Sequence, residues 1–289
     1  MSIQILLTNT EQGLIYSLVA LGLYISYRTL DIADLTTDGS FTLGIACSAI
    51  LTSMGHPILG LGAALIAGAM AGGVTAILQT KLGVQPILAG IITMTGLYSI
   101  NLMIMGKSNL TLLRVDTLFR AAEELMPYGT LVLAGMLLVL FLRTQLGLSL
   151  RATGDNRDMV AASSINPAFT TTVGLCIAHA LIAVSGGLLA QQQGYGDLTL
   201  GTGMVVIGLA SLVIGEVLVG RGGIVRGVVG ALIGSIIYRV LTGIALTSNL
   251  GASNLKLVSA VIVAAAISWP AIRDKILFYK KRKEADKEC

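Results

Sequence analysis

The chain has 289 residues, of which 54% are hydrophobic and only 12% are charged, and its mean hydropathy is +0.84. Soluble proteins carry about 25% charged residues, because water must wet their surface. The composition therefore excludes a soluble enzyme and a disordered chain, and it predicts a protein embedded in a lipid bilayer. The 35 glycines are typical of closely packed membrane helices, in which small residues lie at the contacts.

Long apolar runs follow one another along the chain, and most approach the ~20 residues that a helix needs to cross a bilayer. None shows the alternation over about ten residues of a membrane β-barrel strand. The sequence therefore predicts an all-α integral membrane protein, a bundle of about nine transmembrane helices. The predicted spans are Gln12 to Tyr27, Phe41 to Met54, Pro57 to Thr80, Val84 to Met105, Tyr128 to Leu142, Ala168 to Gln191, Thr202 to Val219, Ile224 to Ala245 and Leu255 to Trp269.

The distribution of Lys and Arg predicts the orientation, since cytoplasmic loops hold more of them than outer loops do. With the C-terminus inside, thirteen of the nineteen basic residues fall on the cytoplasmic side, seven of them in the tail 273–289. We expect an outside N-terminus, a transmembrane domain over 1–272 and a basic cytoplasmic tail over 273–289. The loop from Gly106 to Pro127 argues the other way with three basic residues, which three acidic residues accompany.

A polar segment interrupts the apolar runs between Arg28 and Ser40, and it contains Asp31, Asp34 and Asp38. Two interpretations remain open. The segment is an ordinary loop, with Asp38 or Ser40 as the N-cap of the next helix. Alternatively it is a broken helix whose unwound backbone lines a pathway, which a membrane tolerates only against protein or water.

The longest polar stretch on the predicted cytoplasmic side runs from Leu148 to Pro167. Asp155 and Asp158 are acids of the kind found near the positive end of a helix dipole, so a short helix is predicted from Asn156 to Ser164. This helix is either a solvated loop helix or a docking element that a cytoplasmic protein receives in a groove. It would present three apolar side chains beside charged ones: Met159, Val160 and Ile165.

Three ionisable residues lie within apolar runs, where charge is expensive and function is the first hypothesis. Glu216 is predicted to pair with Arg221, five residues later. His179 is equally well explained as a hydrogen-bonded packing residue. Arg239 is expected to reach the membrane interface or to pair with an acid of the early polar segment.

Motifs of enzymes are scarce. Two histidines cannot build a common zinc site without other ligands, and no H-E-x-x-H is present. The run from Gly194 to Asp197 matches the G-x-G-D of intramembrane aspartyl proteases, but no Tyr-Asp pair supplies a second aspartate, so a loop is predicted. Without a G-x-x-x-x-G-K-[ST] loop, any dependence on ATP must come from a partner.

Three segments, in this order, carry a resemblance. Leu21-Gly22-Leu23-Tyr24 leads into Ile32-Ala33-Asp34 and Gly39-Ser40-Phe41; Gly154-Asp155-Asn156 is followed by Ala161 to Asn166; and Val219-Gly220-Arg221-Gly222-Gly223 leads to Gly227 and Ala231. Together they resemble the membrane permeases of bacterial ABC importers, in the branched-chain amino acid and ribose-type family. The early segment departs from the Asn-Phe-Ala-His-Gly sequence of branched-chain members and looks more like the tryptophan and tyrosine subgroup.

The resemblance implies the fold of a type II ABC importer and a chain that is not itself an enzyme. It implies a multi-pass protein of the bacterial cytoplasmic membrane that acts with a second permease copy, forming a homodimer. Cytoplasmic ATPase subunits bind ATP and Mg, so the chain needs no cofactor of its own. An extracytoplasmic solute-binding protein or lipoprotein delivers the cargo, which is an aromatic or branched-chain amino acid.

Residue roles also follow from the resemblance. The residues assigned to ATPase coupling are Gly154, Asp155, Asn156, Met159, Ala161, Ala162 and Ile165. The residues assigned to the translocation pathway are Asp31, Asp34, Thr37, Asp38 and Ser40. The alternative is an ion-coupled secondary transporter that uses Asp31, Asp34 and Asp38 as ion or proton sites and needs no nucleotide.

Overall fold

The computed structural model describes residues 3–113, 115–121, 125–220 and 222–247, together with 260, 261, 264, 265 and 268. The predominance of helix over these residues confirms the predicted class. The elements in chain order are α1 (Ile3–Leu23), a π-helical turn (Tyr24–Thr29), α2 (Thr36–Ser53), α3 (Pro57–Thr80), α4 (Pro86–Met105), β1 (Asn109–Thr111), α5 (Leu118–Ala121), α6 (Leu125–Arg143), α7 (Gln145–Asp155), α8 (Arg157–Ala162), α9 (Pro167–Gln193), β2 (Tyr195–Asp197), α10 (Met204–Val219) and α11 (Ile224–Thr247).

Four of the described helices are long and apolar enough to cross a membrane: α3, α4, α9 and the Ile224–Ile244 part of α11. A fifth span results if Val132–Arg143 of α6 and the following α7 are counted together, although they are bent by 77°. The larger number of spans therefore stays a prediction. The ninth predicted span, Leu255 to Trp269, lies largely outside the described residues, and the tail 273–289 lies wholly outside them.

The outer faces of α3 and α4 expose large apolar side chains. Ile58, Ile66 and Met70 on α3 and Ile92 and Met103 on α4 are each more than half exposed. Monomeric soluble proteins rarely leave such continuous apolar faces in water, whereas lipid tails cover them without cost. The exposed faces are therefore those of a protein whose helices contact lipid.

Small residues bring α2, α3 and α9 into direct backbone contact. A Cβ atom on Gly44 of α2 would collide with the carbonyl oxygen of Ala183 on α9, and one on Gly68 of α3 would collide with the carbonyl oxygen of His179. This close approach strengthens van der Waals packing between helices, which is a main source of helix association in a bilayer. The expectation that the glycines lie at helix contacts is thus confirmed for these pairs.

The helix α11 runs antiparallel to both α1 and α10. Gly227, near the start of α11, packs against the ring of Tyr24, whereas Gly243, near its end, packs against Asn9 of α1. Gly215 of α10 packs against Gly230 of α11 in the same way. As a result, the turn between α10 and α11 lies at the same end of the bundle as the π-helical turn.

A short antiparallel ladder lies at the opposite end of the bundle. β1 pairs with β2 so that Asn109 faces Asp197, and the Asn109 side chain donates to a carboxylate oxygen of Asp197 over 3.0 Å. The prediction of a loop from Gly194 to Asp197 is therefore wrong for Tyr195–Asp197. The glycines of this run do indicate a loop locally, but the strand forms because a partner from a distant part of the chain supplies the ladder.

Candidate functional site

The polar break between α1 and α2 consists of unwound backbone that is partly buried against protein. The π-helical turn closes with a bond from the Leu30 amide to the Ile25 carbonyl oxygen, at 2.9 Å. Asp31 then adopts a φ of +55°, which few residues with a Cβ atom do, and the chain stays non-helical until α2 begins. Leu30 and Ile32 are buried. Of the two interpretations, the structure favours an unwound segment packed against protein, as a membrane requires.

The first amide of α2 is capped from within this segment. The Thr36 amide donates to Oδ1 of Asp34 over 2.7 Å. Asp38 and Ser40, the predicted N-caps, lie inside the helix, because α2 begins at Thr36. That prediction is wrong because several polar residues in the segment are able to cap a helix, and packing alone selects the one that does.

Asp34 also forms a buried pair with His179 in the middle of α9. Nε2 of His179 lies 2.7 Å from Oδ2 of Asp34, and both side chains are fully buried. A Cβ atom on Gly72 of α3 would lie 2.9 Å from the imidazole ring, so only glycine leaves room for it there. The interpretation of His179 as a hydrogen-bonded packing residue is confirmed. The pair ties the unwound segment to α9.

The carboxylate of Asp38 caps a different helix from the one that carries it. Its Oδ2 accepts from the Gly203 amide at 2.8 Å, and its Oδ1 accepts from the Val205 amide at 2.9 Å, at the N-terminus of α10. The N-cap of α10 is Gly203, which has no side chain for this purpose. Asp38 also lies in the first turn of α2, so two helix N-termini, each with a partial positive charge, meet at one acid.

The five residues assigned to the pathway do not form one cluster. Asp31 is exposed, whereas Thr37 and Ser40 are fully buried inside α2. Asp34 is bonded to α9 and Asp38 to α10. Throughout the described ranges there is no group of three or more His, Cys, Asp and Glu side chains that could hold a metal ion.

The polar stretch predicted from Leu148 to Pro167 is more helical than expected. α7 extends to Asp155, so the predicted loop over 148–155 is wrong. Asn156 then caps α8 by accepting from the Met159 amide at 2.9 Å, which confirms the short helix within one or two residues of its predicted ends. Of the apolar residues, Met159 is 59% exposed, Val160 is buried and Ile165 is half-buried. Ala161, Ala162 and Asp155 are exposed, and Gly154 is half-buried.

The end of α7 packs directly on the π-helical turn. A Cβ atom on Gly154 would collide with the carbonyl oxygen of Thr29, so this glycine permits the contact. Beside it, Nε of Arg28 lies 2.9 Å from Oε1 of Glu216 at the end of α10. One polar cleft of about 320 Å³ is bordered by Arg28, Thr29, Asp155 and Glu216. The structure thus pairs Glu216 with Arg28; Arg221, its predicted partner, lies outside the described residues.

Arg239 pairs with neutral groups of α1. Its guanidinium donates to Oε1 of Gln12 and lies 4.9 Å from the centroid of the Tyr16 ring, which makes a cation–π contact. The prediction that Arg239 pairs with an acid of the early polar segment is therefore wrong. α1 and α11 are antiparallel, so the C-terminal half of α11 faces the N-terminal half of α1, far from that segment.

Sequence analysis missed Asn101 of α4. This residue is 1% exposed, and its Nδ2 donates to the carbonyl oxygen of Gly39 at 3.3 Å. The sequence does contain a signal, because an asparagine within an apolar span is able to form hydrogen bonds between helices in a membrane. It places α4 against the start of α2, next to Asp38.

Residues 5–267 match a protein family described as "Branched-chain amino acid transport system / permease component". The chain belongs to this permease family. It is 37% identical over 260 residues to the tyrosine transport system permease protein of Clostridioides difficile (strain R20291), covering 89% of this chain and 88% of that protein. It is 31% identical to an uncharacterized protein of Rickettsia prowazekii (strain Madrid E), covering 91% of this chain and 97% of that one.

Two solved structures share the fold of the permease. One is PsaBC from Streptococcus pneumoniae in complex with Fab, with a TM-score of 0.53, 13% identity and coverage of 91% of this chain and 89% of that chain. The other is an inward-facing metal-chelate type ABC transporter, with a TM-score of 0.53, 14% identity and coverage of 93% and 85%. At these identities the likeness concerns the fold alone. The chain is accordingly a multi-pass membrane protein with the fold of an ABC transporter permease.

Proposed function

We propose that this permease is the membrane-spanning subunit of an ATP-driven importer whose cargo is an amino acid with an aromatic side chain. The observation that carries the proposal is the 37% identity, over nearly the whole chain, to a permease named for tyrosine transport. The family match over residues 5–267 supports the amino acid class of the cargo. An extracytoplasmic binding protein or lipoprotein would deliver the cargo, and a second copy of the permease would complete the pathway.

The proposed topology keeps about nine spans, with the N-terminus outside and the C-terminus in the cytoplasm of a bacterium. The transmembrane domain extends over 1–272 and the basic tail over 273–289. The positions of three arginines in the described helices support the proposed cytoplasmic side. Arg143, Arg151 and Arg157 follow one another from the end of α6 to the start of α8. The chain bends by 77° between α6 and α7 and re-enters the bundle as α9.

The proposed docking element for the ATPase is the segment from Gly154 to Ile165. α8 is short and capped, and the exposed Met159 directly follows the charged residues Arg157 and Asp158. An exposed apolar side chain on a short helix is suited to a groove on a protein partner. ATP and Mg would be bound by that partner, because the chain carries no phosphate-binding loop.

The contacts of α7 provide a route from this docking element into the membrane. Gly154 lies against Thr29, and the unwound segment that follows Thr29 is held to α9 by Asp34 and His179. Movement of α7 on an ATPase would therefore act on the break rather than on a continuous helix. His179 is twelve residues after the start of α9, or about 18 Å along it, which supports a position of the Asp34 pair near the middle of a ~30 Å hydrocarbon layer.

The proposed pathway borders the side of the break that carries Asp38. Asp34, Thr37 and Ser40 lie behind it and fix the position of the segment, and Asp31 lies at its exposed turn. Transporter sites typically combine unwound backbone with a helix N-terminus near the midplane of the bilayer, and this side of the break has both.

The test is substitution of the exposed methionine of α8. Met159→Asp should lower ATP-driven uptake into proteoliposomes by at least about tenfold, because it places a charge in an apolar contact, equivalent to about 1.4 kcal/mol. It should also lower recovery of the ATPase with the purified permease. Met54→Asp, at an exposed methionine that follows α2, is the matched control and should leave both unchanged.

Uptake that proceeds without nucleotide and is unaffected by Met159→Asp would reject the proposal. It would direct attention to the ion-coupled alternative with Asp31, Asp34 and Asp38.

A further inference from the structure

A cavity of about 320 Å³ opens between the start of α2, the middle of α4 and the segment that precedes α10. Its size lies at the lower end of the range of small-molecule sites. Its wall is mainly apolar with a few polar groups, the composition typical of such sites. The residues that line it include Asp38, Thr42, Met94, Tyr98, Asn101 and Leu198.

The charge of the wall favours a cation. Asp38 is the one acid that lines the cavity, and no Lys, Arg or His is among the described lining residues. At the N-terminus of α10, the Gly203 amide donates to one oxygen of its carboxylate and the Val205 amide to the other, and the Met204 amide also interacts with it. An ionised carboxylate has about four acceptor positions, so positions remain for donors in the cavity.

Asn101 supplies a second acceptor at the same place. Its Nδ2 is bonded to the carbonyl oxygen of Gly39, next to Asp38, while its Oδ1 is buried and has no hydrogen-bond partner. Buried polar atoms are nearly always paired, so an unpaired oxygen on a residue that lines a cavity calls for a donor, which an occupant could supply.

The apolar wall lies beside these acceptors. Met94, Tyr98 and Leu198 line the same cavity, and the Tyr98 side chain is 59% exposed. A thioether and a phenol ring suit an aromatic side chain, since both make favourable contacts with rings. A carboxylate within the spans is expected beside protein or water rather than lipid.

We propose that this cavity is a binding site in the permease for the protonated amino group of the cargo. Asp38 and Asn101 accept hydrogen bonds from the ammonium, and Met94, Tyr98 and Leu198 contact the side chain. The inference rests on the proposed function, in that the cargo is an amino acid, and it adds that the permease itself recognises the amine. A divalent metal ion fits poorly, because it needs several oxygen ligands and one carboxylate is present.

The test measures binding to the permease–ATPase complex in nanodiscs, without the binding protein, by isothermal titration calorimetry. The probes are L-tyrosine, tyramine and 3-(4-hydroxyphenyl)propanoate, which differ in whether they carry the amine. We expect the first two to bind and the third to bind at least tenfold more weakly. Equal binding of the third probe, or binding of none, would overturn the proposal, and displacement of L-tyrosine by millimolar sodium would assign the site to an inorganic cation instead.

Variants test the residues. Asn101→Leu, of similar size, should weaken L-tyrosine binding at least tenfold, and Asp38→Asn should do the same. Asp38 also caps α10, so Asp38→Asn could fail to fold. In that case the Asn101→Leu variant and the probe series test the binding site by themselves. Asp116→Asn removes an exposed acid outside the cavity and should change nothing. Unchanged binding by Asn101→Leu would overturn the assignment.

ATP-driven uptake by the unmodified complex is measured separately. Uptake without amine-selective binding rejects this site alone, whereas absence of ATP-driven uptake rejects the proposed function.

Discussion

Removal of the imidazole at position 179 should destabilise the permease strongly. The pair with Asp34 joins fully buried side chains at 2.7 Å, so His179→Leu leaves a carboxylate in the interior whose remaining hydrogen bonds come from Thr36. Loss of one partner of such a pair costs about 3–5 kcal/mol. Leucine is close to histidine in size, so the cavity beside Gly72 stays filled and the loss reports on the pair.

The assay is unfolding of the purified chain in mixed detergent–SDS micelles, followed by helical circular dichroism, which gives a free energy of unfolding for each variant. Asp34→Asn keeps an oxygen for the Thr36 amide but removes the charge. In the double variant with His179→Leu, much of the loss should be recovered, with a coupling free energy of about 2–3 kcal/mol. His179→Gln retains an N–H donor and should lose only about 1–2 kcal/mol.

Additive effects would refute this reasoning. If the two single losses sum to that of the double variant within about 0.5 kcal/mol, the two side chains do not interact. The two side chains would then lie close together without stabilising each other, and the unwound segment would be held by its apolar residues alone.

Two further predictions concern packing and pH. Gly44→Ala should cost about 1–3 kcal/mol in the same unfolding assay, because its Cβ meets the backbone of Ala183, whereas Gly62→Ala, with open space around it, should be neutral. The pKa of Asp197 is held below its ordinary value, chiefly by the hydrogen bond from the Thr199 side chain. The ionised carboxylate therefore stabilises the fold above the ordinary aspartate pKa of about 3.9, and this stabilisation is lost as the pH falls below it. Asp197→Asn should accordingly make the melting temperature less dependent on pH in the acidic range. A Gly62→Ala loss equal to that of Gly44→Ala, or parallel pH curves, would contradict these two expectations.

Local signals made several elements predictable from sequence. α3 has its predicted bounds, Pro57 and Thr80, because proline at the first helical position and a polar end mark it locally. The short helix after Asn156 was found because its cap lies next to it in the chain. The start of α2 was placed five residues late, at Phe41, since the polar residues before it look like a loop and are buried only in the folded bundle.

The sequence by itself determined that this chain lies in a membrane as a bundle of helices, because apolar content and run length depend on the solvent and not on which helices meet. The tertiary structure alone decided which acid does what. Asp34 meets His179 across 145 positions, and Asp38 caps α10 across 165. The three acids of the break look alike in a linear chain. Their roles differ because Asp34 faces α9, Asp38 faces α10 and Asp31 is exposed, and no local spacing records which helices become neighbours.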